Sequence, residues 1–262
     1  MPDDSTSLRS SSLAALGHNP EDSQAWTTLG STLKEGEEIR VGWKRYSKRG
    51  CYLKAIECNP QYGPAWTYLG HTVGEFEEVQ VGEKVYSRKG CYVKALKCDP
   101  KKGYAWNDLA STLMGGERAR VGDETYTLVD CLTKVLEFNP QDWVAWLNLA
   151  SMMKDEDTIV VGRKAYSRAD CYARVLECDP NRNWLWNDVG DILQRDGGTV
   201  QVGGKEYAAK DCYLKMLESN PNKSSAWHNV ALMLEEGETV WIGGKEYDSK
   251  ECFKRAFETQ LR

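Results

Sequence analysis

The chain has 262 residues, of which 41% are hydrophobic, and its 34 basic and 39 acidic side chains give a formal net charge of −5. This composition is typical of a soluble globular protein and excludes collagen-like and disordered chains. At about 150 residues per domain, the length alone suggests roughly two domains. Because Lys and Arg form no dominant cluster, the sequence does not indicate a nucleic-acid partner.

The N-terminal segment has no sign of a membrane anchor or a secretory signal. Residues 1–11 are acidic and then Ser-rich, so we expect a disordered tail without an apolar signal core. No stretch of the chain approaches the roughly 18 apolar residues that a membrane span needs. The nine cysteines are an odd number and fit a reducing compartment, where thiols stay free. We therefore predict a cytoplasmic protein with no membrane partner.

A tryptophan marks a repeat of 40 or 41 residues that occurs six times. Five residues separate it from a preceding Asn-Pro or Asp-Pro pair, a tyrosine follows it by 20 or 21 residues, and a cysteine follows that tyrosine by five. Four markers that stay in phase through six copies predict a repeat protein. The tryptophans are Trp26, Trp66, Trp106, Trp146, Trp186 and Trp227.

The first repeat predicts a helix and then a hairpin. Apolar residues at helical spacing predict a helix A over roughly residues 22–35. The next stretch alternates with a period of two, and Gly42 with Trp43 suits a two-residue turn, because glycine accepts the positive φ that such a turn requires. This register sets Ile39 opposite Tyr46 on the face that packs inward.

Helix B is predicted to follow the hairpin. Hydroxyl side chains just after the repeated tyrosine, such as Ser47, are good N-caps, and Asp170 can complete a capping box with Ser167. The apolar face of the first helix B contains the repeated cysteine and Tyr52, and Pro60 ends the repeat. One 40-residue repeat cannot bury these faces alone, so we expect stacked neighbours with a continuous core.

These markers resemble the tetratricopeptide repeat, a helix-turn-helix of about 34 residues with the pattern WxxLGxxY, then AxxxF, then P. The chain has AWTTLG, AWTYLG, AWNDLA, AWLNLA, LWNDVG and AWHNVA, followed by helix B segments such as CYLKAIECNP. The likeness covers about residues 13–260. It departs from the family pattern between helices A and B, where the expected hairpin is inserted, and at positions such as Lys48, where the family has alanine.

The resemblance implies a mainly α fold, a right-handed α-solenoid whose helix-hairpin-helix repeats each contain a two-stranded β-hairpin. It also implies that helix A lines the concave wall of the superhelix and that an extended peptide lies along that wall. We expect a single solenoid over residues 12–262. Its parts are a half-repeat 12–20 and the repeats 21–60, 61–100, 101–140, 141–180, 181–221 and 222–262.

The sequence indicates no catalytic chemistry. Cys51 and Cys58 lie seven residues apart, which is about 10 Å along a helix and too far for two thiolates on one zinc ion. We therefore favour a packing role for the cysteines over a metal or redox site. Only His18, His71 and His228 are present, in different repeats, and no phosphate-binding or nucleophile motif occurs. We predict a protein that is not an enzyme and has no metal and no cofactor.

Positions two before, two after and five after each tryptophan face the implied wall and vary between repeats. With the positions eight and nine after it, they hold eight acids against three bases, which favours a neutral or basic partner. Such variation fits a recognition surface, although plain solvent exposure also allows it. The peptide-binding candidates are Tyr68, His71, Tyr104, Asp108, Asn148, Trp184, Asp188, Asp191 and Asn229.

We therefore expect the function to lie in a surface. The leading hypothesis is a protein-protein interaction scaffold or adaptor that binds an extended peptide or partner segment along the wall. One alternative is the substrate-binding array of a larger enzyme, such as a protein O-glycosyltransferase. Another is head-to-tail self-association through the last helix B, with Phe253 and Phe257. The hairpins form a second candidate surface, for which we favour a bracing and solubilising role.

Overall fold

The structure is a computed structural model in which residues 4–260 are described. This part of the chain contains thirteen helices and six two-stranded antiparallel sheets. The chain divides into two compact units, residues 1–138 and residues 139–262. Within residues 4–260, no helix combines the length and apolar character that crossing a membrane requires.

The first unit holds a leading helix and three helix-hairpin-helix repeats. Its elements are α1 Asp4–His18, α2 Ser23–Ser31, β1 Glu38–Val41, β2 Lys44–Ser47, α3 Lys48–Cys58, α4 Gly63–His71, β3 Glu78–Val81, β4 Lys84–Ser87, α5 Arg88–Cys98, α6 Gly103–Ala110, β5 Ala119–Val121, β6 Glu124–Tyr126 and α7 Leu128–Phe138. Helices α2, α4 and α6 are helices A, and α3, α5 and α7 are helices B. Each helix A packs against the helix B of its own repeat and against the helix B that comes before it in the chain.

The second unit repeats this arrangement three times. Its elements are α8 Trp143–Met152, β7 Thr158–Val161, β8 Lys164–Ser167, α9 Arg168–Cys178, α10 Leu185–Asp196, β9 Val200–Val202, β10 Lys205–Tyr207, α11 Ala209–Ser219, α12 Ser224–Met233, β11 Thr239–Ile242, β12 Lys245–Asp248 and α13 Ser249–Gln260. The predicted mainly α fold, with a β-hairpin in each repeat, is confirmed in both units. A single solenoid over residues 12–262 stays a prediction.

Helix A is shorter than the sequence predicts. In the first repeat it spans Ser23–Ser31, whereas the apolar spacing predicts residues 22–35. The Thr32 hydroxyl donates to the carbonyl of Leu29 at 2.7 Å, and the Glu37 carboxylate accepts a backbone N–H three residues earlier at 2.9 Å. These side chains satisfy backbone groups at the helix end, so a turn replaces the last predicted helical turn.

The hairpins have the predicted register and turn. Ile39 pairs with Tyr46, and the repeated tyrosine pairs with Val, Ala or Ile in the other five hairpins. Gly42 has a φ of 60°, and the residue after it has a negative φ. In the last two repeats the second turn residue is also a glycine with positive φ, Gly204 or Gly244. Both combinations are two-residue hairpin turns that follow the twist of the strands.

The repeated tryptophan is the centre of each repeat's core. All six are buried, with 1–8% of their surface exposed. Each ring contacts the hairpin tyrosine of its own repeat, with centroids 4.6–4.9 Å apart, so the predicted inward face of the hairpin is confirmed. Five indole N–H groups donate to the carbonyl of the preceding repeated proline at 2.7–2.9 Å. Trp186 is the exception, and its helix begins at Leu185, where the other repeats have alanine.

Helix B has the predicted caps and a buried cysteine. Ser47, Ser87 and Ser167 each accept the backbone N–H three residues later, and Asp170 accepts the N–H of Ser167 to complete a capping box. The six repeated cysteines have no exposed surface. Burial raises the pKa of five of their thiols to about 12 and that of Cys252 to about 11. Such thiols stay protonated at neutral pH and act as small apolar groups.

The first helix corrects the prediction for the N-terminus. The sequence predicts a disordered tail over residues 1–11 and a half-repeat over 12–20, whereas α1 begins at Asp4. Residues 1–3 lie outside the described residues. Ser12 is buried and donates its hydroxyl to a carbonyl one turn earlier at 2.8 Å. Packing and this internal hydrogen bond offset the modest helix propensity of serine.

A repeated ion pair shows that α1 is a full helix B. The Arg9 guanidinium donates to the Thr32 carbonyl at 2.7 Å and to the Glu37 carboxylate at 2.8 Å. Forty residues later, Arg49 makes the same two contacts, with the equivalent carbonyl and with Glu77. Each of these basic residues therefore joins a helix B to the loop that follows the next helix A. The leading half-repeat includes residues 4–11 as well as residues 12–20.

Candidate peptide-binding surface

Four of the predicted site residues come together in the first unit. Tyr68 and His71 lie on α4, and Tyr104 and Asp108 lie on α6. The His71 Nε2 atom is 3.0 Å from the Asp108 carboxylate, so this pair bridges two neighbouring helices A. Tyr68 contacts His71 edge-on, with ring centroids 5.9 Å apart. These four residues are named the unit-1 patch.

The two phenol rings of the unit-1 patch are partly exposed, and other rings support Tyr68. Tyr68 is 39% exposed and Tyr104 is 48% exposed. Tyr68 stacks on the buried ring of Tyr52, with centroids 5.5 Å apart. Burial, followed by the charges of Tyr68 and Asp99, raises the pKa of Tyr104. The patch therefore offers aromatic surface to solvent, and neighbouring rings hold Tyr68 in position.

In the second unit, the equivalent positions hold a polar network centred on Asp191. Its carboxylate accepts the side-chain N–H of Asn229 at 3.0 Å and the hydroxyl of Tyr213 at 2.7 Å. The Asn187 amide donates to the same carboxylate at 2.9 Å and accepts the Ser225 hydroxyl at 3.1 Å. The residues Asn187, Asp188, Asp191, Ser225 and Asn229 are named the unit-2 patch.

The two patches share one geometry between repeats. In each, the residue five positions after one tryptophan meets the residue two positions after the next. His71 meets Asp108 in this way, and Asp191 meets Asn229. Neighbouring helices A are therefore offset in the same manner in both units, and different side chains occupy the same positions.

Three other candidates take a smaller part. Asp188 is half-buried, and its burial, followed by the charge of Asp191, raises the pKa of its carboxyl. Asn148 is exposed, and its side chain makes no hydrogen bond to another described residue. Trp184 lies just before α10 and is 49% exposed. The structure brings neither Asn148 nor Trp184 into either pair that bridges neighbouring helices A.

Sequence reasoning missed the part that helix B plays at these patches. The residue after the repeated cysteine is aromatic in five of the six repeats. The Tyr92 ring lies 5.7 Å from His71, and the Tyr213 hydroxyl donates to Asp191. This recurring aromatic residue was the signal that could have identified a second layer beneath the exposed residues.

A glycine on helix A makes room for that tyrosine. A Cβ atom at Gly70 would lie 2.5 Å from the Tyr92 ring, and the same clash occurs at the matching glycines of the first and fifth repeats. The third repeat instead combines Ala110 with Leu132, which is smaller than tyrosine. In the fourth repeat an alanine faces Tyr172, which is 7% exposed, compared with 0–3% for the other three tyrosines. The sixth repeat also has an alanine, Ala231, and its Phe253 is 39% exposed. A helix B ring is therefore most deeply buried where helix A has glycine.

The remaining cysteines are also placed for packing. Cys58, Cys98 and Cys178 are partly buried, each with its sulfur 3.7–4.0 Å from a proline carbonyl of the preceding repeat. Burial raises the pKa of all three thiols. Within residues 4–260, no group of three or more His, Cys, Asp or Glu side chains is placed to hold a metal ion.

The hairpins offer exposed side chains of a different kind. Trp43 is 94% exposed, and the Arg40 guanidinium lies 5.8 Å from its ring. The cross-strand pair that faces outward is Arg40 with Arg45 in the first hairpin and Val160 with Ala165 in the fourth. The inward tyrosine and the turn glycine are common to all six hairpins, whereas the outward side chains vary, which agrees with a bracing role.

Comparisons with known proteins do not assign a family. No family model matches the chain, and no curated protein matches it. Among solved structures, the chain is similar to one titled "Crystal structure of MamA", with 18% sequence identity and a TM-score of 0.40. That match covers 67% of this chain and 88% of the other. A TM-score of 0.40 is too low for the likeness to indicate a function. The contacts described above are therefore the basis for a functional proposal.

Proposed function

We propose that the chain is a non-catalytic protein-interaction scaffold of the tetratricopeptide type. Its repeats form one right-handed α-solenoid, and an extended segment of a partner protein binds along the exposed faces of the helices A. One observation carries this proposal. Two pairs, His71 with Asp108 and Asp191 with Asn229, occupy identical positions between neighbouring helices A. The aspartate lies on the later helix in the first pair and on the earlier helix in the second, and its partner changes from an imidazole to an amide. A constant framework with variable exposed positions is how repeat proteins adapt one fold to different ligands.

The chemistry of the two patches suits an extended polypeptide. A peptide without secondary structure has free backbone N–H and C=O groups that need partners. The amide and hydroxyl groups of Asn187, Ser225 and Asn229 can exchange their present hydrogen bonds for such partners. Tyr68 and Tyr104 add aromatic area, which dominates the energetics of many interfaces. The excess of acids along the wall favours a neutral or basic partner rather than a nucleic acid or an anionic membrane surface.

A reconstituted complex tests the proposal. A partner is first identified by affinity capture with mass spectrometry and then purified. Isothermal titration calorimetry compares the wild-type chain with the double variant Asp188→Ala/Asn229→Ala. We expect the variant to bind at least tenfold more weakly, which corresponds to about 1.4 kcal/mol.

The matched control changes the hairpin surface instead. The double variant Trp43→Ala/Arg45→Ala removes exposed side chains of the first hairpin, and we expect its affinity to be unchanged. Circular dichroism confirms that both variants keep their helix content. If the hairpin variant loses binding while the helix A variant does not, the helices A are not the binding surface.

Head-to-tail self-association is a second candidate function. On α13, Phe253 is 39% exposed and Phe257 is 64% exposed. They line a cleft of about 400 Å³ together with His228 and Asn229 of α12. Exposed aromatic surface of this kind marks interaction sites. Light scattering over a range of concentrations tests the idea, with Phe257→Ser as the variant expected to stay monomeric. A wild-type chain that is strictly monomeric at high concentration contradicts it.

A further inference from the structure

The unit-1 patch combines aromatic surface with carboxylates. Asp108 follows Tyr104 by about one turn on α6, so the two side chains share one face of that helix, and Asp99 lies directly after the end of α5. A positively charged ligand group would find aromatic surface and negative charge in one place.

The nearby basic side chains leave this negative charge available. Lys102 lies 3.6 Å from Asp99, but the two side chains are 48% and 38% exposed, so water screens their attraction. The His71 Nε2 atom lies 3.0 Å from one oxygen of the Asp108 carboxylate, and a carboxylate has further lone-pair sites that can accept other donors. Asp108 is itself only 22% exposed in its side chain, which strengthens its interaction with an incoming charge.

Arginine matches this combination better than other side chains do. Its planar guanidinium stacks on aromatic rings and also makes two parallel hydrogen bonds to one carboxylate. The lysine ammonium group is a compact charge that cannot stack in this way. Tyr68 is held by Tyr52 and His71, so a guanidinium that stacks on it orders little that was mobile before.

We propose that the unit-1 patch binds an arginine side chain of the extended polypeptide, which stacks against Tyr68 and Tyr104 and pairs with Asp108. This inference rests on the proposed function and adds the class of residue that the first unit recognises. The unit-2 patch differs at the matching positions, because Ser225 stands where Tyr104 stands and Asn229 where Asp108 stands. Its network therefore suits backbone amides, whereas the unit-1 patch suits a cation.

Two peptides that differ only in charge provide the test. The full chain is titrated with acetyl-GSGRGSG-amide and with the same peptide containing citrulline, an uncharged isostere of arginine, and binding is followed by NMR chemical shifts. We expect the arginine peptide to bind at least tenfold more tightly. Tyr104→Leu and Asp108→Asn should each remove most of this difference, whereas Val144→Ala, at the position of Tyr104 in the fourth repeat, should leave it unchanged.

Equal affinity for the two peptides, or an arginine preference that survives in both patch variants, overturns the proposal. The partner experiment separates this failure from failure of the scaffold itself. If Asp188→Ala/Asn229→Ala weakens partner binding while the peptides are not distinguished, the scaffold stands and only the arginine site is wrong. If partner binding is also unaffected, the helices A are not a binding surface and both proposals fail.

Discussion

Residues 4–138 and residues 139–260 use one repeat but present different chemistry on their helices A. In the first region, His71 meets Asp108 beside two partly exposed phenol rings. In the second, Asp191 meets Asn229 within a network of amides and hydroxyls. Beneath both, a buried tryptophan contacts a hairpin tyrosine in every repeat. The difference teaches that the repeated positions stabilise the fold, whereas the varied positions on the same helices are available for recognition.

The largest expected effect tests whether the two regions share one framework. Trp106 and Trp146 come from different units and are 2% and 1% exposed. We expect an alanine at either position to lower the free energy of unfolding by about 3–5 kcal/mol through lost burial and a cavity. Urea unfolding measures the change. The control Trp43→Ala, on an exposed hairpin turn, should change stability by at most about 0.5 kcal/mol. A cost near zero at either buried tryptophan contradicts a shared framework.

A smaller effect is expected where helix A touches the helix B tyrosine. Gly70→Ala places a Cβ atom 2.5 Å from the Tyr92 ring, so we expect a loss of about 1–3 kcal/mol from overpacking. Adding Tyr92→Leu copies the alanine-leucine combination of the third repeat and should recover part of that loss. A double-mutant cycle in urea measures the coupling between the two positions.

The matched control for this cycle is Gly17→Ala on α1, where a new Cβ atom meets nothing within 4 Å. There we expect no loss and up to about 1 kcal/mol of gain, because alanine favours a helix. Strict additivity of Gly70→Ala and Tyr92→Leu would show that the two residues do not compete for the same space.

Repetition in the sequence predicts most of the fold. The burial of Trp106, the turn at Gly42 and the cap at Ser167 each follow from a local pattern that recurs at a fixed spacing. The start of α1 does not, because Arg9 finds its partners on the loop after the next helix A, and a Ser-rich segment has little helical tendency of its own. The apolar spacing also fails to show where helix A ends. Side chains such as Glu37 accept hydrogen bonds from the backbone there and replace the last helical turn.

For the candidate site, the sequence predicts which residues are exposed but not which residues they contact. Helical spacing selects His71 and Asp191 as exposed, but the partners they meet depend on the offset between neighbouring helices A, which no single repeat encodes. The tyrosine beneath them lies on helix B and contacts them only through packing. Asn148 shows the converse, because it has the predicted position and exposure but no partner among the described residues.

The helix B tyrosines allow a direct comparison of the two regions. The Tyr213 hydroxyl donates to Asp191 at 2.7 Å, whereas the buried hydroxyl of Tyr52 has no hydrogen-bond partner among the described residues. We expect Tyr213→Phe to cost about 0.5–1.5 kcal/mol because a hydrogen bond is lost. Tyr52→Phe should be neutral or stabilising, because it removes an unsatisfied polar atom. Equal costs in urea unfolding would mean that the two hydroxyls have the same surroundings.

The smallest expected effects are on how stability changes as the pH falls, and they have opposite signs in the two regions. In the first, hydrogen bonding to Arg49 lowers the pKa of Glu77 from 4.5 to about 2. In the second, burial raises the pKa of Asp188 above 3.8. A carboxyl with a lowered pKa stabilises the fold above its unfolded pKa, and this contribution is lost as the pH falls through the folded value. A carboxyl with a raised pKa destabilises the fold while it is charged, so protonation relieves the cost.

Two variants separate these contributions in urea unfolding measured from pH 7 to pH 2. Glu77→Gln should be less stable than the wild type at pH 7, and the gap should close as the pH falls from 4.5 toward 2. Asp188→Asn should be more stable than the wild type at pH 7, and its advantage should shrink as the pH falls toward 3.8. Because both side chains are partly exposed, solvent screening keeps the two effects small. Stability curves that run parallel to the wild type for both variants would show that neither carboxyl senses its neighbours.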